Sequence, residues 1–187
     1  MNRDFVEAIH NLPSGKRAQL RKMLMAKGMD LMALPVFRRP VDFSLIPTSF
    51  AQQRLWFLDQ LVSGNPAYNV PTAVRLAGRL DVEVLTRALN EIVRRHDVLR
   101  TTFAMVDNMP AQVVAPELVL ALPQTDLSAL PQAERALQAD ELARQEAWIS
   151  FDLADGPLVR AHLLRMSDDE HILLLTLHHI VSDEWSM

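Results

Sequence analysis

Ile172-Leu173-Leu174-Leu175-Thr176-Leu177-His178-His179-Ile180-Val181-Ser182-Asp183-Glu184-Trp185-Ser186 is the stretch from which the rest of this 187-residue chain can be read. Its first six residues form a short apolar run, long enough for a strand and apolar enough to be covered on both faces. Successive side chains of a strand point to opposite faces, so at its end one histidine can face a cleft while the other enters the packed interior. One imidazole is then free to act, and imidazole is the side chain that ordinarily titrates nearest neutrality. That suits a positioned base. Asp183 follows His179 by four residues, close enough to fix the loop through an ion pair or a hydrogen bond.

Working back from this strand, the sequence alternates helices and strands and then pairs strands. Leu158–Met166 predicts the neighbouring strand, joined to His171–His178 across the polar turn Ser167-Asp168-Asp169-Glu170. Before it, Pro131 suits the first turn of a helix running to about Trp148, with Leu137, Leu142 and Ala143 as buried candidates, and Phe151-Asp152-Leu153 leads into a loop ended by Gly156-Pro157. Val98–Val106 and Gln112–Val114 predict a hairpin around Asp107-Asn108-Met109-Pro110. Leu85, Ala88, Leu89, Ile92 and Val93 mark an amphipathic helix capped by Asp81, after a strand over Val70–Ala77. Ser49-Phe50-Ala51-Gln52 has the form of a capping box, and Ala51, Leu55, Leu58 and Val62 share one face of the helix that follows, closed by Gly64. Trp56, Phe57 and Leu58 are expected in the core. The fold class expected is α/β, an α+β two-layer sandwich with a mixed sheet flanked by helices.

Residues 1–46 read differently, as a helical leader and a proline-containing linker. Ser14 is placed to cap a helix carrying Leu20, Met23 and Leu24, Gly28 suits its C-terminus, and Leu34-Pro35-Val36-Phe37-Arg38-Arg39-Pro40 is too proline-broken for regular structure. This leader holds eight Lys/Arg against four Asp/Glu, and the remainder eleven against nineteen, for a net charge of −4. A mildly basic segment before an acidic body lacks the concentrated basic face of a nucleic-acid binder. With no cysteine in the chain, neither a thiol nucleophile nor a disulfide framework is available, which fits a reducing compartment. No apolar stretch reaches the roughly 18 residues of a membrane span, so a cytoplasmic protein is expected.

Three segments read together resemble the condensation domain of nonribosomal peptide synthetases, within the chloramphenicol-acetyltransferase-like group of HHxxxD acyltransferases. Ser49-Phe50-Ala51-Gln52-Gln53-Arg54-Leu55-Trp56-Phe57-Leu58 is similar to the family's first core motif. Arg95-His96-Asp97-Val98-Leu99-Arg100-Thr101-Thr102-Phe103 is similar to its second, and His178 to Ser186 to its third. Tyr68-Asn69 and Phe151-Asp152-Leu153 also resemble intervening family sequence, and several matching segments, Tyr68-Asn69 among them, lean toward the subtype joining an L-configured donor to an L-configured acceptor. The resemblance implies a chloramphenicol-acetyltransferase-like lobe at residues 47–187, with the C-terminal lobe absent. It implies amide-bond formation between a carrier-bound acyl or peptidyl thioester and the amine of a carrier-bound aminoacyl group. The phosphopantetheine arms belong to the donor and acceptor peptidyl carrier proteins, and no cofactor is held by this chain. A neighbouring adenylation domain is a further implied partner, and membrane and nucleic acid are not.

By the same resemblance His179 is the catalytic residue. His178 and Asp183 orient it, Trp185 and Ser186 shape the pocket, and Arg54 and Arg100 are candidates to hold the Asp183 carboxylate. The family motif normally has Gly where this chain has Glu184. Other readings stay open at this point. They include another HHxxxD acyltransferase, an epimerisation domain, or a noncatalytic half-domain that binds carriers. His171, His178, His179 and Asp183 could also be metal ligands, but adjacent histidines diverge and no second ligand cluster appears, so no metal is expected.

Overall fold

The computed structural model describes residues 14–28 and 46–183. The chain divides into two compact units, Met1–Phe43 and Ser44–Met187. In the first, helix α1 spans Ser14–Ala26 and closes at Gly28, whose φ of 71° is the left-handed geometry expected of a glycine past a helix end. The proline-broken linker lies outside the described residues.

The second unit begins with the short strand β1 (Ile46–Pro47) and helix α2 (Phe50–Leu61). The capping box is formed: Ser49 Oγ accepts from the Gln52 N–H, and Gln52 Oε1 accepts from the Ser49 N–H. Strand β2 (Asn69–Ala77) leads to helix α3 (Val82–Arg95), where Asp81 accepts from the Val84 N–H as the expected cap. Strands β3 (Thr101–Val106) and β4 (Met109–Val114) form the hairpin, β5 is Gln124–Asp126, α4 is Gln132–Trp148, and β6 (Val159–Arg165) and β7 (Glu170–His178) finish the described fold.

Two sheets result. The smaller has the order β1-β4-β3, and the larger β2-β7-β6-β5, antiparallel except where β5 pairs parallel with β6. The register of β2 against β7 runs from Asn69 opposite His178, through Pro71 opposite Thr176, to Ala77 opposite Glu170. β7 is therefore internal, as its apolar run predicts. One face of β6 and β7 presents Val159, Ala161 and Leu177 to Val93 of α3, and the other presents Leu164 and Leu174 to Ala139 of α4. The expected mixed sheet flanked by helices is present, with a helix on each face. Strands apolar on both sides need cover on both.

Several local expectations are corrected. The hairpin turn contains only Asp107 and Asn108, both at positive φ (49° and 59°), a two-residue turn whose twist matches its strands, and Pro110 lies within β4. Asp97–Arg100 is a single 3-10 turn before β3, closed by the Leu99 N–H donating to His96 O and Thr101 Oγ1 donating to Asp97 O, so the strand starts at Thr101 and not at Val98. Leu137 is exposed, because it falls on the far side of α4 from Ala139. Phe57, Ala51 and Val62 are exposed too, since α2 packs through one edge, Leu55 and Trp56, onto the cluster of Phe103, Phe151, Leu153, Leu158, Ile180 and Val181.

Candidate active site

That cluster is the seat of the histidine loop. β7 ends at His178, and Ile180 and Val181 turn back into the apolar cluster, with the Val181 N–H donating to His178 O at 3.0 Å. The two histidines separate as strand alternation requires: His178 is 2% exposed, and His179 faces outward. His178 lies between Tyr68 and Phe151, with ring centroids 6.2 Å and 6.1 Å away. Its Nδ1 accepts from the Ile180 N–H at 3.1 Å, so the neutral ring carries its proton on Nε2. Burial, and secondarily the charge of His179, push its pKa down to about 4. It is a neutral structural ring at neutral pH.

His179 is held from two directions. Its backbone N–H donates to Tyr68 O at 2.8 Å, and its Nδ1 lies 2.7 Å from Ser182 O. A carbonyl oxygen only accepts, so Nδ1 carries a proton, and in the neutral ring the lone pair is on Nε2. The carbonyl of Ser182 thus braces the ring. Asp183 is exposed at the end of the described residues. Glu184, Trp185 and Ser186 lie outside them, so their expected places beside the pocket stay expectations from sequence.

The two arginines differ. Arg100 has all five donors committed. Nε donates to Val93 O, Nη1 to the carbonyls of Ala115 and Pro116, and Nη2 to Arg94 O and to Asp97 Oδ1 at 2.6 Å. It braces the 3-10 turn. Arg54 is exposed on α2. His96 closes α3, its Nδ1 donating to Ile92 O, and performs no visible chemistry.

Sequence reading missed the second duty of Gln52. Its side-chain nitrogen reaches Ile180 O and Gln112 Oε1, both at 3.3 Å, so the residue that caps α2 also ties it to the histidine loop. The capping motif signals only the first duty. Among the described residues, no group of three His, Cys, Asp or Glu side chains is placed to hold a metal ion, and no helix is long and apolar enough to cross a membrane.

The family model of the Condensation domain matches residues 44–187, and the chain belongs to that family. Phosphinothricin tripeptide synthetase PhsC of Streptomyces viridochromogenes is 47% identical over 184 residues, covering 98% of this chain and 17% of the relative. Chondramide synthase cmdD of Chondromyces crocatus is 47% identical over 150 residues, covering 80% of this chain and 4% of the relative. Among solved structures, the starter condensation domain of rhizomide synthetase RzmA superposes with a TM-score of 0.67 at 26% identity, over 75% of this chain and 35% of that one. The first condensation domain of the CDA synthetase gives 0.67 at 21% identity over 74% of this chain and 36% of that one, a likeness of fold. The chain spans a small fraction of these synthetases and about a third of the solved domains.

Proposed function

We propose that residues 47–187 are the N-terminal lobe of a nonribosomal peptide synthetase condensation domain, preceded by a leader and linker at 1–46, working in the cytoplasm. The reaction is acyl transfer from a thioester on one carrier protein to the amine of an aminoacyl group on another. The amine lone pair attacks the thioester carbonyl, a C–N bond forms, and the C–S bond breaks. Nitrogen loses one proton, and the departing sulfur takes one to leave as the thiol of the donor's phosphopantetheine arm. The arms arrive with the substrates.

One observation carries this reading: Nδ1–H of the exposed His179 is committed to Ser182 O, so that in the neutral ring Nε2 is the acceptor. Such a nitrogen can align the attacking amine and receive its proton, and the Ser182 carbonyl stabilises the imidazolium that results. His178, buried and neutral, adds no competing positive charge. The remaining walls of the site, and the carrier and adenylation partners, belong to segments beyond this lobe.

The test is His179→Ala in a complete condensation domain supplied with both loaded carriers. Condensation should slow by about 100-fold or more, the scale of general acid-base contributions, with the unfolding midpoint unchanged. Undiminished turnover sinks the proposal.

A further inference from the structure

The end of α4 is tied to the two strands that flank the histidine strand by side chains that the reaction above does not use. The last carbonyls of a helix have no intrahelical partner. Here Asn69 Nδ2 donates to Ala147 O at 2.7 Å and to Ile149 O at 2.8 Å. Arg160 Nη2 donates to Glu146 O at 3.1 Å and Ile149 O at 2.7 Å, and Nη1 to Ser150 O at 3.4 Å. Because both partners of Asn69 are carbonyls, its nitrogen must face them, and its Oδ1 is left buried with no partner among the described residues. A buried acceptor without a donor is unusual enough to require a reason. The reason here is the pair of hydrogen bonds that the nitrogen donates.

The placement of this clamp is what gives it a role. Asn69 stands opposite His178 in the β2–β7 pairing and directly follows Tyr68, whose carbonyl receives the His179 N–H. The Arg160 guanidinium lies 3.8 Å over the centroid of the Phe151 ring, and that ring meets His178 edge-on. Asn69 on β2 and Arg160 on β6 therefore flank β7 and hold the same segment, 146–150, from two sides. Its next residue is the ring against His178. Resting on the reaction proposed above, we infer that Asn69 and Arg160 are positioning residues for condensation. By clamping the end of α4 they seat Phe151 and Tyr68 against His178, and through the strand end they fix the ring of His179.

Asn69→Asp keeps the size of the side chain and leaves no donor for the two carbonyls. In a complete condensation domain with loaded carriers, kcat should fall by about 10- to 100-fold, the cost of misplacing a reacting group by an ångström or less. KM for the acceptor carrier should stay within about 3-fold, because carrier contacts are untouched. In a His179→Ala background the same change should alter the residual single-turnover rate by less than about 2-fold, since the clamp acts through that histidine. Asn69→Ser, which removes both bonds without adding charge, carries the same expectations if the Asp form does not fold. Full kcat in either folded variant, a loss confined to KM, or an equal loss in the His179→Ala background overturns the inference. Failure of both variants to fold overturns it as well, assigning the pair to stability. If instead His179→Ala alone leaves condensation unslowed, the reaction reading fails, so the two failures are distinct.

Discussion

Burial costs His178 its charge, and the cost appears in the pH dependence of stability. Its pKa is about 4 in the folded chain against an ordinary 6.5, so between those values the unfolded chain binds the extra proton and folding weakens as pH falls. Below about 4 both states are protonated and the effect is complete. From linkage we expect this residue to remove roughly 3 kcal/mol of stability between pH 7 and pH 4. Urea unfolding at a series of pH values should show that slope, and His178→Gln should flatten it. An unchanged slope in the variant would assign the acid sensitivity elsewhere. That the two histidines face opposite ways was legible in the sequence, because alternation along a strand is a property of the backbone alone. The brace was not. The turn through Ile180 and Val181 brings the Ser182 carbonyl to His179 Nδ1. Which carbonyl a loop turns inward depends on its dihedral angles, and side-chain chemistry does not report them.

Helix α2 joins a local signal to a distant duty. Ser49 and Gln52 read as a capping box from sequence because both partners lie within one turn. The same glutamine reaches Ile180 only when β7 and α2 are packed together, across 128 positions of sequence. The two duties can be separated. Gln52→Glu retains the oxygen that accepts from Ser49 and loses the donor to Ile180 O, so α2 should stay capped, with stability changed by less than about 1 kcal/mol. Condensation in the complete domain should nevertheless slow by several-fold, measured as a single-turnover rate. A rate equal to the parent's would reduce the contact to packing. Elements without a periodic apolar signal were harder to read. β5 is Gln124-Thr125-Asp126, polar throughout, and is a strand because Leu163–Arg165 of β6 offers it parallel partners. Val98 has strand propensity, yet the Asp97–Arg100 ion pair and the Thr101 hydroxyl close a turn around it. Tertiary partners decided both.

The core of the whole molecule was readable from β7 outward, because a strand apolar on both faces demands neighbours on both sides and cover above and below. What cannot follow from that demand is which helix faces stay open. An apolar groove of about 420 Å³ lies between α3 and the sheet, lined by Leu89, Ile92, Leu120, Leu175 and Val181 among others, and Phe50 is 90% exposed on α2. Surfaces of this kind ordinarily meet other protein. The 187-residue chain alone is accordingly expected to form no condensation product when given both loaded carriers, with intact-mass spectrometry of the carriers as the readout. Product in a single turnover would place a complete site within this lobe. The register of β2 has a different consequence. The His178 N–H turns toward Leu158 on the β6 side, so alternation puts the nitrogens of Asn69 and Pro71 on the outer edge of the described sheet. Pro71 therefore interrupts the row of N–H donors at the rim, where a strand from another molecule would look for its first rungs. That missing rung discourages the sheets of neighbouring molecules from zipping into one another edge to edge.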